Sequence, residues 1–218
     1  MNDFYNQSKI WQWTVSILFL FVGLFLAIFI IEKGNTNPFL YAVFIVYVPI
    51  SQFLYTPLFK LMGGYTYYSP MLLGYMANDQ QIDLHSGTGF DHFFVLRRVK
   101  SGIALRNSLL AYHVEGLLNL ISKIENKQIP ASVTIVGTSY FFSDRTLDKL
   151  GFKIEKASLF YRANLIINLI DLVWMFSLAR GTFSIPKVWN AKKASIQGAG
   201  LVTQKQKLEA LYARLKSK

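Results

Sequence analysis

The stretch IWQWTVSILFLFVGLFLAIFII, residues 10–31, decides the architecture of this 218-residue chain. It runs for 22 positions without a charged residue, and about 20 apolar residues suffice for a helix that crosses the hydrocarbon core of a bilayer. A cleaved signal peptide would have an apolar stretch of only about 7–15 residues and then a small-residue cleavage site, which Glu32–Asn35 does not offer. The stretch therefore predicts a transmembrane helix.

A second apolar stretch, FLYAVFIVYVPISQFLYTPLF, occupies residues 39–59 and follows a short polar turn. Its length also suits a crossing, although Pro49 and Pro57 are expected to kink the helix or end it early, because proline lacks the amide donor and clashes with the preceding turn. Residues 1–63 are therefore predicted to form a transmembrane hairpin. Aromatic residues flank the two stretches as they do at membrane interfaces: Trp11, Trp13, Tyr65, Tyr67 and Tyr68.

Basic residues set the expected orientation of the hairpin. Lys9 precedes the first stretch and Lys60 ends the second, and the chain beyond Lys60 carries 20 of the 23 Lys and Arg but 10 of the 12 Asp and Glu. Cytoplasmic flanks carry the excess of Lys and Arg. We therefore expect an inner-membrane protein with both termini in the cytoplasm. The absence of cysteine is compatible with a reducing compartment.

A third apolar stretch, LFYRANLIINLIDLVWMFSLA, is long enough to cross a bilayer but contains Arg162 and Asp171. Each charge costs about 2.5–3.5 kcal/mol near the bilayer centre, and a crossing would export the basic end of the chain. Asn164, Asn168 and Asp171 share one helical face. We expect residues 159–186 to form an amphipathic helix that lies against the membrane or packs on the hairpin or a partner. A full crossing is the alternative.

Residues 64–158 are predicted to form a layered α/β domain. Apolar residues recur at spacings of four and three along Ile103–Ile124, which predicts a helix with one face in the core. A short helix with Ser143 as its N-cap is expected further on. Strands and helices in this order predict a sheet flanked by helices. The runs that are typical of strands are Tyr67–Met76, Gln81–Leu84, Ser132–Val136 and Phe152–Ala157.

Residues 90–157 resemble the second half of GNAT-type acetyltransferases. The shared features are a glycine-containing loop, a long helix, a strand, a short helix and the sequence Lys149-Leu150-Gly151-Phe152. The resemblance implies a GNAT-like fold and acyl transfer from acyl-CoA.

The family holds the CoA pyrophosphate on a loop of the form Arg/Gln-x-x-Gly-x-Gly/Ala, whose amides lie at a helix start where free N–H groups face anions. Gly102 and Ala104 match the last two positions of that loop. Val99 occupies the position of the basic or amide residue, with Arg98 and Lys100 on either side of it. The resemblance therefore implies a cofactor site at Arg98, Lys100, Gly102 and Ala104.

Two positions depart from the family's catalytic pattern. The family places a tyrosine, the acid for the leaving thiolate, four residues before the Gly-Phe glycine, and Leu147 stands there instead. Tyr140 occupies the position of an asparagine that is common earlier in the short helix, and it is a candidate catalytic residue. These departures put retained catalysis in doubt.

Asp83–His92 is the densest polar segment and supplies three further catalytic candidates, His85, Asp91 and His92, for proton transfer. A glycine-rich turn with capping side chains is the alternative. Five residues separate His85 from Asp91, whereas glycerolipid acyltransferases use a His-x4-Asp pair. Three histidines and no cysteine give no spacing typical of a zinc site, and Gly87–Gly89 lacks the Gly-Lys-Ser/Thr ending of a phosphate-binding loop.

Ser139 lies between a predicted strand and a helix, a position where α/β folds often bind ligands. A helix cap is the alternative for this segment.

Residues 187–218 are predicted to form a basic helical tail, with eight basic residues and one acidic residue. Thr203–Gln206 matches a capping box, and Leu208, Leu211 and Leu215 recur on one side of the following helix. The basic side suits anionic lipid headgroups, at about 1 kcal/mol per residue near the surface. Nucleic acid would use the same charges, but it is a less suitable partner for a membrane-anchored chain. An ordinary solvated helix face is the alternative.

The sequence leaves three hypotheses for function. The chain is an accessory or structural subunit of a membrane complex, a membrane-anchored acyl-CoA-dependent acyltransferase, or a scaffold that binds anionic lipid. The departures at Val99 and Leu147 favour the subunit over the enzyme. The polar stripe of Asn164, Asn168 and Asp171 also suits a protein partner.

Overall fold

The computed structural model describes residues 2–139 and 144–217. Two long helices, α1 (Lys9–Thr36) and α2 (Phe44–Leu61), are joined through a 3-10 turn at Pro38–Val43. Both helices, the second counted together with its 3-10 turn, are long and apolar enough to cross a membrane. Both prolines lie inside α2, so neither of them ends the second helix early.

The two helices pack closely around Gly23. A methyl group in place of its hydrogen would lie only 2.5 Å from the Tyr55 hydroxyl oxygen. The Tyr47 hydroxyl lies 3.0 Å from both the Gly23 carbonyl and the Tyr55 hydroxyl. Small residues permit such close helix approach where lipid surrounds the pair.

The segment before α1 packs on the domain that follows α2. Phe4 and Tyr5 are buried, and their ring centroids lie 5.2 and 6.1 Å from that of Phe90. The Asn2 amide also donates to Asp91, at 3.3 Å. Both ends of the hairpin therefore lie against the same domain, a contact that the sequence analysis did not predict.

Six described strands form one mixed sheet: β1 (Tyr65–Ser69), β2 (Leu72–Tyr75), β3 (Gln81–Ser86), β4 (Thr134–Ser139), β5 (Lys153–Lys156) and β6 (Lys192–Gln197). Their order in the sheet is β1-β2-β3-β4-β6-β5. The pair β3–β4 is parallel, and the other neighbours are antiparallel.

The single strand predicted at Tyr67–Met76 is wrong, because the chain turns back at Pro70 and Met71 to give β1 and β2. Proline cannot donate to a strand ladder, which favours a turn here. The hairpin of β2 and β3 around Ala77–Gln80 is present as predicted.

Helices cover one face of the sheet. After the short α3 (Gly89–Asp91) and a π-helical turn at His92–Leu96, helix α4 (Ile103–Glu125) crosses this face as the apolar spacing predicted. Its apolar stripe joins the strands in the main core, which includes Ile82, Val114, Leu117, Ile121, Ile135 and Ile196. Helix α5 (Asp144–Lys149) precedes β5. The predicted N-cap of that helix, Ser143, lies outside the described residues.

The predicted basic helical tail is only partly helical. Lys192–Gln197 is strand β6, which lies between β4 and β5 in the sheet, and α8 (Gly198–Thr203) and α9 (Lys205–Lys216) follow it. Leu208 of α9 is fully buried in the main core. The tail therefore completes the α/β domain instead of extending from it.

The predicted capping box at Thr203–Gln206 is also wrong. Thr203 ends α8, and its hydroxyl donates to the Gly200 carbonyl at 2.7 Å. Gln204 takes the N-cap position of α9 without a side-chain capping bond.

The third apolar stretch forms two helices, α6 (Leu159–Ile167) and α7 (Leu169–Arg180), where one was predicted. Their axes differ by 75° across a break at Asn168. We call these two helices the bent pair. The side-chain amide of Asn168 donates to the backbone carbonyl of Asn164 at 2.8 Å and so caps the end of α6.

Candidate functional site

A cleft of about 530 Å³ lies between the second face of the sheet and helices α2, α6 and α7. The strands place side chains alternately on the two faces. On β3, Ile82 therefore points to the core under α4, and Asp83 and His85 line the cleft. The polar side chains in its lining include Gln52, Asp83, His85, Thr88, Tyr161, Asn164, Asn168 and Asp171.

Asp83 and His85 form a contact in the cleft that resembles a catalytic pair. His85 Nε2 lies 3.6 Å from Asp83 Oδ2, and the Tyr161 hydroxyl donates to the same oxygen at 2.7 Å. Asp83 Oδ1 is buried without a hydrogen-bond partner among the described residues. The His85 side chain remains 38% exposed, so its imidazole is accessible to a ligand.

Opposing effects act on the carboxyl of Asp83. Burial alone raises its pKa. The contact with His85 and the hydrogen bond from Tyr161 together lower the pKa by more than burial raises it, so the net pKa lies below its ordinary value. An ionised Asp83 can only accept, so it orients the neighbouring imidazole.

The polar stripe of the bent pair faces inward. Asn164, Asn168 and Asp171 all line the cleft, and Gln52 of α2 donates to Asn168. The stripe that suggested a partner protein in the sequence is thus used within the chain itself. It forms the wall of the cleft opposite the sheet.

His113 makes a serine–histidine contact at the end of β3. Its Nδ1 lies 2.6 Å from the Leu109 carbonyl, which can only accept, so Nδ1 carries the proton. Nε2 then accepts from the Ser86 hydroxyl at 2.9 Å. Burial lowers the pKa of His113 and keeps the ring neutral. Ser86 pairs with Leu72 across the ladder, and Leu72 lies in the core under α4, so the Ser86 hydroxyl points to the packed face although the residue also borders the cleft.

Asp91, a catalytic candidate from the sequence, is fully buried. Its carboxylate accepts from the Tyr67 hydroxyl at 2.9 and 3.0 Å, from the Thr88 amide at 2.9 Å and from the Asn2 amide. Burial raises its pKa to about 6 in spite of these donors. Asp91 caps α3 together with Thr88 and fastens the N-terminal segment to the domain.

His92, the third candidate of that segment, is also buried. Its ring centroid lies 5.8 Å from that of Trp174, and Nε2 has no hydrogen-bond partner among the described residues. Burial lowers its pKa to about 4. Of the three histidine and aspartate candidates from this segment, the structure places only His85 in the lining of the cleft.

The expected cofactor residues lie elsewhere. Arg98 and Lys100 are exposed, and the Gly102 amide already donates to the Leu178 carbonyl of α7 at 2.8 Å. The described lining of the cleft contains neither these three nor Ala104. Leu147, at the position where the family has its tyrosine, is a buried residue.

Neither of the two remaining candidates, Ser139 and Tyr140, has a catalytic contact among the described residues. Ser139 is paired with Lys192 at the end of β4, and Tyr140 lies outside the described residues. Within residues 2–139 and 144–217, no group of three or more His, Asp or Glu side chains could hold a metal ion.

The sequence indicated polar residues on one wall of the cleft but not the contacts that join this wall to the sheet. The polar stripe and His85 were singled out separately, but nothing local brings Asp83 and Tyr161 together across 78 residues. The usable signal was a set of polar residues inside two apolar stretches, Gln52 in one and Tyr161, Asn164 and Asn168 in the other. Such residues in membrane-type segments usually face a cavity or a polar partner.

Comparisons with known proteins give no relative of this chain. No protein-family model matches it, and no curated protein or solved structure is significantly similar to it.

Proposed function

We propose that this chain is an integral membrane enzyme whose hairpin holds the α/β domain at the cytoplasmic face, with both termini in the cytoplasm. The cleft binds the substrate, and His85 acts as its general base. The observation that carries the proposal is the Asp83–His85 contact, which faces a cavity large enough for a small molecule. The excess of Lys and Arg beyond the hairpin supports the orientation.

The arrangement suits removal of a proton from a bound hydroxyl or amine. His85 takes the proton, and the carboxylate of Asp83 stabilises the imidazolium that forms. Tyr161 fixes the carboxylate by donating to it. A positioned general base contributes about 10²–10⁴-fold in rate.

Acyl transfer is the reaction class that we propose for this base. The activated hydroxyl or amine attacks the acyl carbonyl of acyl-CoA, a new C–O or C–N bond forms, and the thiolate of CoA leaves. The order α4, β4, α5 and β5 is the order that the GNAT resemblance over residues 90–157 implies, and this supports the choice. Fold likeness alone does not define a reaction, so the proposal depends on His85.

The test uses the full chain in lipid nanodiscs with acetyl-CoA labelled in its acetyl group and a pool of alcohols and amines as acceptors. We expect transfer of the label to an acceptor to exceed the rate without the chain, and we expect His85→Ala to lose about 10²–10⁴-fold of that rate. Ser122→Ala, an exposed change on α4, serves as the matched control and should retain the rate. Unchanged turnover in His85→Ala would contradict the proposed role of this base.

A second candidate is an accessory subunit of a membrane complex. Two observations favour this candidate. The Gly102 amide already donates to the Leu178 carbonyl. The position where the family has its catalytic tyrosine holds Leu147, which is buried and has no proton to donate. This candidate predicts no saturable heat when acetyl-CoA is titrated into the detergent-solubilised chain, and a stable companion protein on purification in mild detergent. Saturable heat that Gly102→Arg abolishes would favour the enzyme.

A lipid-binding scaffold has weaker support. Leu208 of the basic helix α9 is buried in the domain core, and Leu211 and Leu215 pack against it, so the apolar side is not free to enter a bilayer. Lys205 on the other side pairs with Glu125 at 2.8 Å.

A further inference from the structure

We infer that the bent pair, α6 and α7, is a re-entrant element, which enters the adjoining membrane leaflet and returns to the domain side with its apolar outer surface against lipid acyl chains. This inference rests on the membrane anchoring in the proposed function and adds to it the place of the cleft relative to the membrane. The cleft lies between the bent pair and the sheet, so a re-entrant bent pair puts one wall of the cleft next to lipid.

Both ends of the bent pair are fixed to the same sheet. Strand β5 precedes α6 and strand β6 follows α7, and the two strands are antiparallel neighbours with Lys156 opposite Lys192. The end of α7 is also attached to the start of α4, through the bond from the Gly102 amide to Leu178. An element whose two ends lie on one side cannot cross the bilayer once.

The break of the bent pair contacts α2 away from the end that joins the α/β domain. Gln52 donates to Asn168 at the break, and Gln52 is nine residues before the end of α2 at Leu61. At about 1.5 Å per residue, this contact lies roughly 13 Å along the helix from that end. The α/β domain reaches the same part of α2 through Phe53 with Phe90 and Thr56 with Thr88, so the break lies at the level where the domain meets the hairpin.

The polarity of the bent pair is the reverse of that of a helix on a soluble domain. Asn164, Asn168 and Asp171 line the cleft, and the outer surface exposes large apolar side chains. The exposed fractions are 42% for Ile166, 58% for Ile167, 44% for Trp174 and, just beyond α7, 79% for Phe183. Such a surface adjoining two membrane-type helices is continuous with their lipid-facing surface.

Polar groups at the break are bonded within the protein, the arrangement that a hydrocarbon environment favours. The Asn168 side chain accepts from Gln52 and donates to the backbone carbonyl of Asn164. At the other end of the element, Arg180 and Lys187 are exposed, where basic side chains can reach lipid headgroups.

The chain contains no cysteine, so single-cysteine variants report one position each. We would label Ile167→Cys on the bent pair with a bimane fluorophore, with Val46→Cys on α2 as the spanning control and Ser122→Cys on α4 as the aqueous control. Each variant is the full chain in nanodiscs of phosphatidylcholine and phosphatidylglycerol. Quenching is measured with a doxyl group midway along the acyl chain and, separately, with iodide in solution.

We expect doxyl lipid to quench Ile167→Cys to an extent similar to Val46→Cys and several-fold more than Ser122→Cys. Phe183→Cys provides a second position, with lipid quenching expected again. Quenching of Val46→Cys by lipid but of Ile167→Cys only by iodide, or by neither agent because a protein covers the surface, would overturn the re-entrant element alone. Absence of lipid quenching at Val46→Cys would overturn the membrane anchoring and this inference with it.

Discussion

The two faces of the sheet differ in what they bury, although they are built from the same strands. Under α4, Ile82 and Ile135 are nearly inaccessible and belong to a continuous apolar core. On the opposite face, Asp83 and His85 come from the same strand as Ile82 but border an open cleft. Because side chains alternate between the two faces, adjacent residues of β3 serve the stability of the core and the proposed chemistry of the cleft. Substitutions on the two faces should therefore have different effects.

The largest expected effect is on the packed face. Ile82→Ala should lower the free energy of unfolding by about 2–5 kcal/mol, because it removes buried methyl groups and leaves a cavity. His85→Ala, three residues further along β3, should change it by less than about 1 kcal/mol, since its side chain is partly exposed. Urea titrations of the full chain in detergent, followed by circular dichroism, would measure both. Similar losses for the two variants would remove the contrast between the faces.

A smaller effect is expected at the buried carboxylate Asp91, which tests whether a buried polar group is structural. Asp91→Asn should cost about 1–3 kcal/mol, because an amide NH₂ would face the Tyr67 hydroxyl and the Thr88 amide, which are both donors. Tyr67→Phe is the matched partner and should cost less, since it removes one donor and leaves the others in place. The same urea titrations apply. A neutral Asp91→Asn would show that the hydrogen bonds around this residue do not hold the N-terminal segment.

The buried histidines predict an acid sensitivity of similar or smaller size. Burial lowers the pKa of His92 to about 4, below the value of about 6.5 for an unfolded histidine. The stability that it contributes is therefore complete above about pH 6.5 and is lost as the pH falls toward 4. Asp91 acts in the opposite direction, because its pKa is raised to about 6 and its contribution is lost as the pH rises through that value.

Comparing the pH dependence of stability in the wild type and in a variant at position 92 isolates the contribution of His92. We expect the melting temperature of His92→Gln to fall less between about pH 7 and pH 5 than that of the wild type. Thermal unfolding in detergent, read by circular dichroism, provides the measurement. Parallel pH profiles would show that His92 is not kept neutral by burial.

The smallest expected effect is on the cleft face itself. Tyr161→Phe removes the hydrogen bond to Asp83 and should cost about 0.5–1.5 kcal/mol. It should also lower the turnover assigned to His85, because the carboxylate loses the donor that positions it. Loss of turnover without loss of fold would assign Tyr161 to the site, and an unchanged rate would restrict it to packing.

Local patterns predicted much of the framework but not the contacts between parts that are distant in sequence. The periodicity of Ile103–Ile124 gave α4 with an end within one residue of the observed one, and the turn at Ala77–Gln80 gave the hairpin of β2 and β3. Strand β6 was missed because Lys192 and Lys193 suggested a solvated tail. Its alternating Ala194 and Ile196, both buried, were the period-two signal that could have revealed it.

The sequence by itself determined the two apolar helices, because a run of about 20 apolar residues is a local property that no distant contact is needed to produce. It also determined the stripe of α4, through the helical period. The tertiary structure alone decided that β6 enters the sheet between β4 and β5 and that the bent pair closes over Asp83 and His85. Those arrangements depend on contacts such as Tyr161 with Asp83 and Gln52 with Asn168, whose partners lie far apart along the chain and become neighbours only when the whole chain folds.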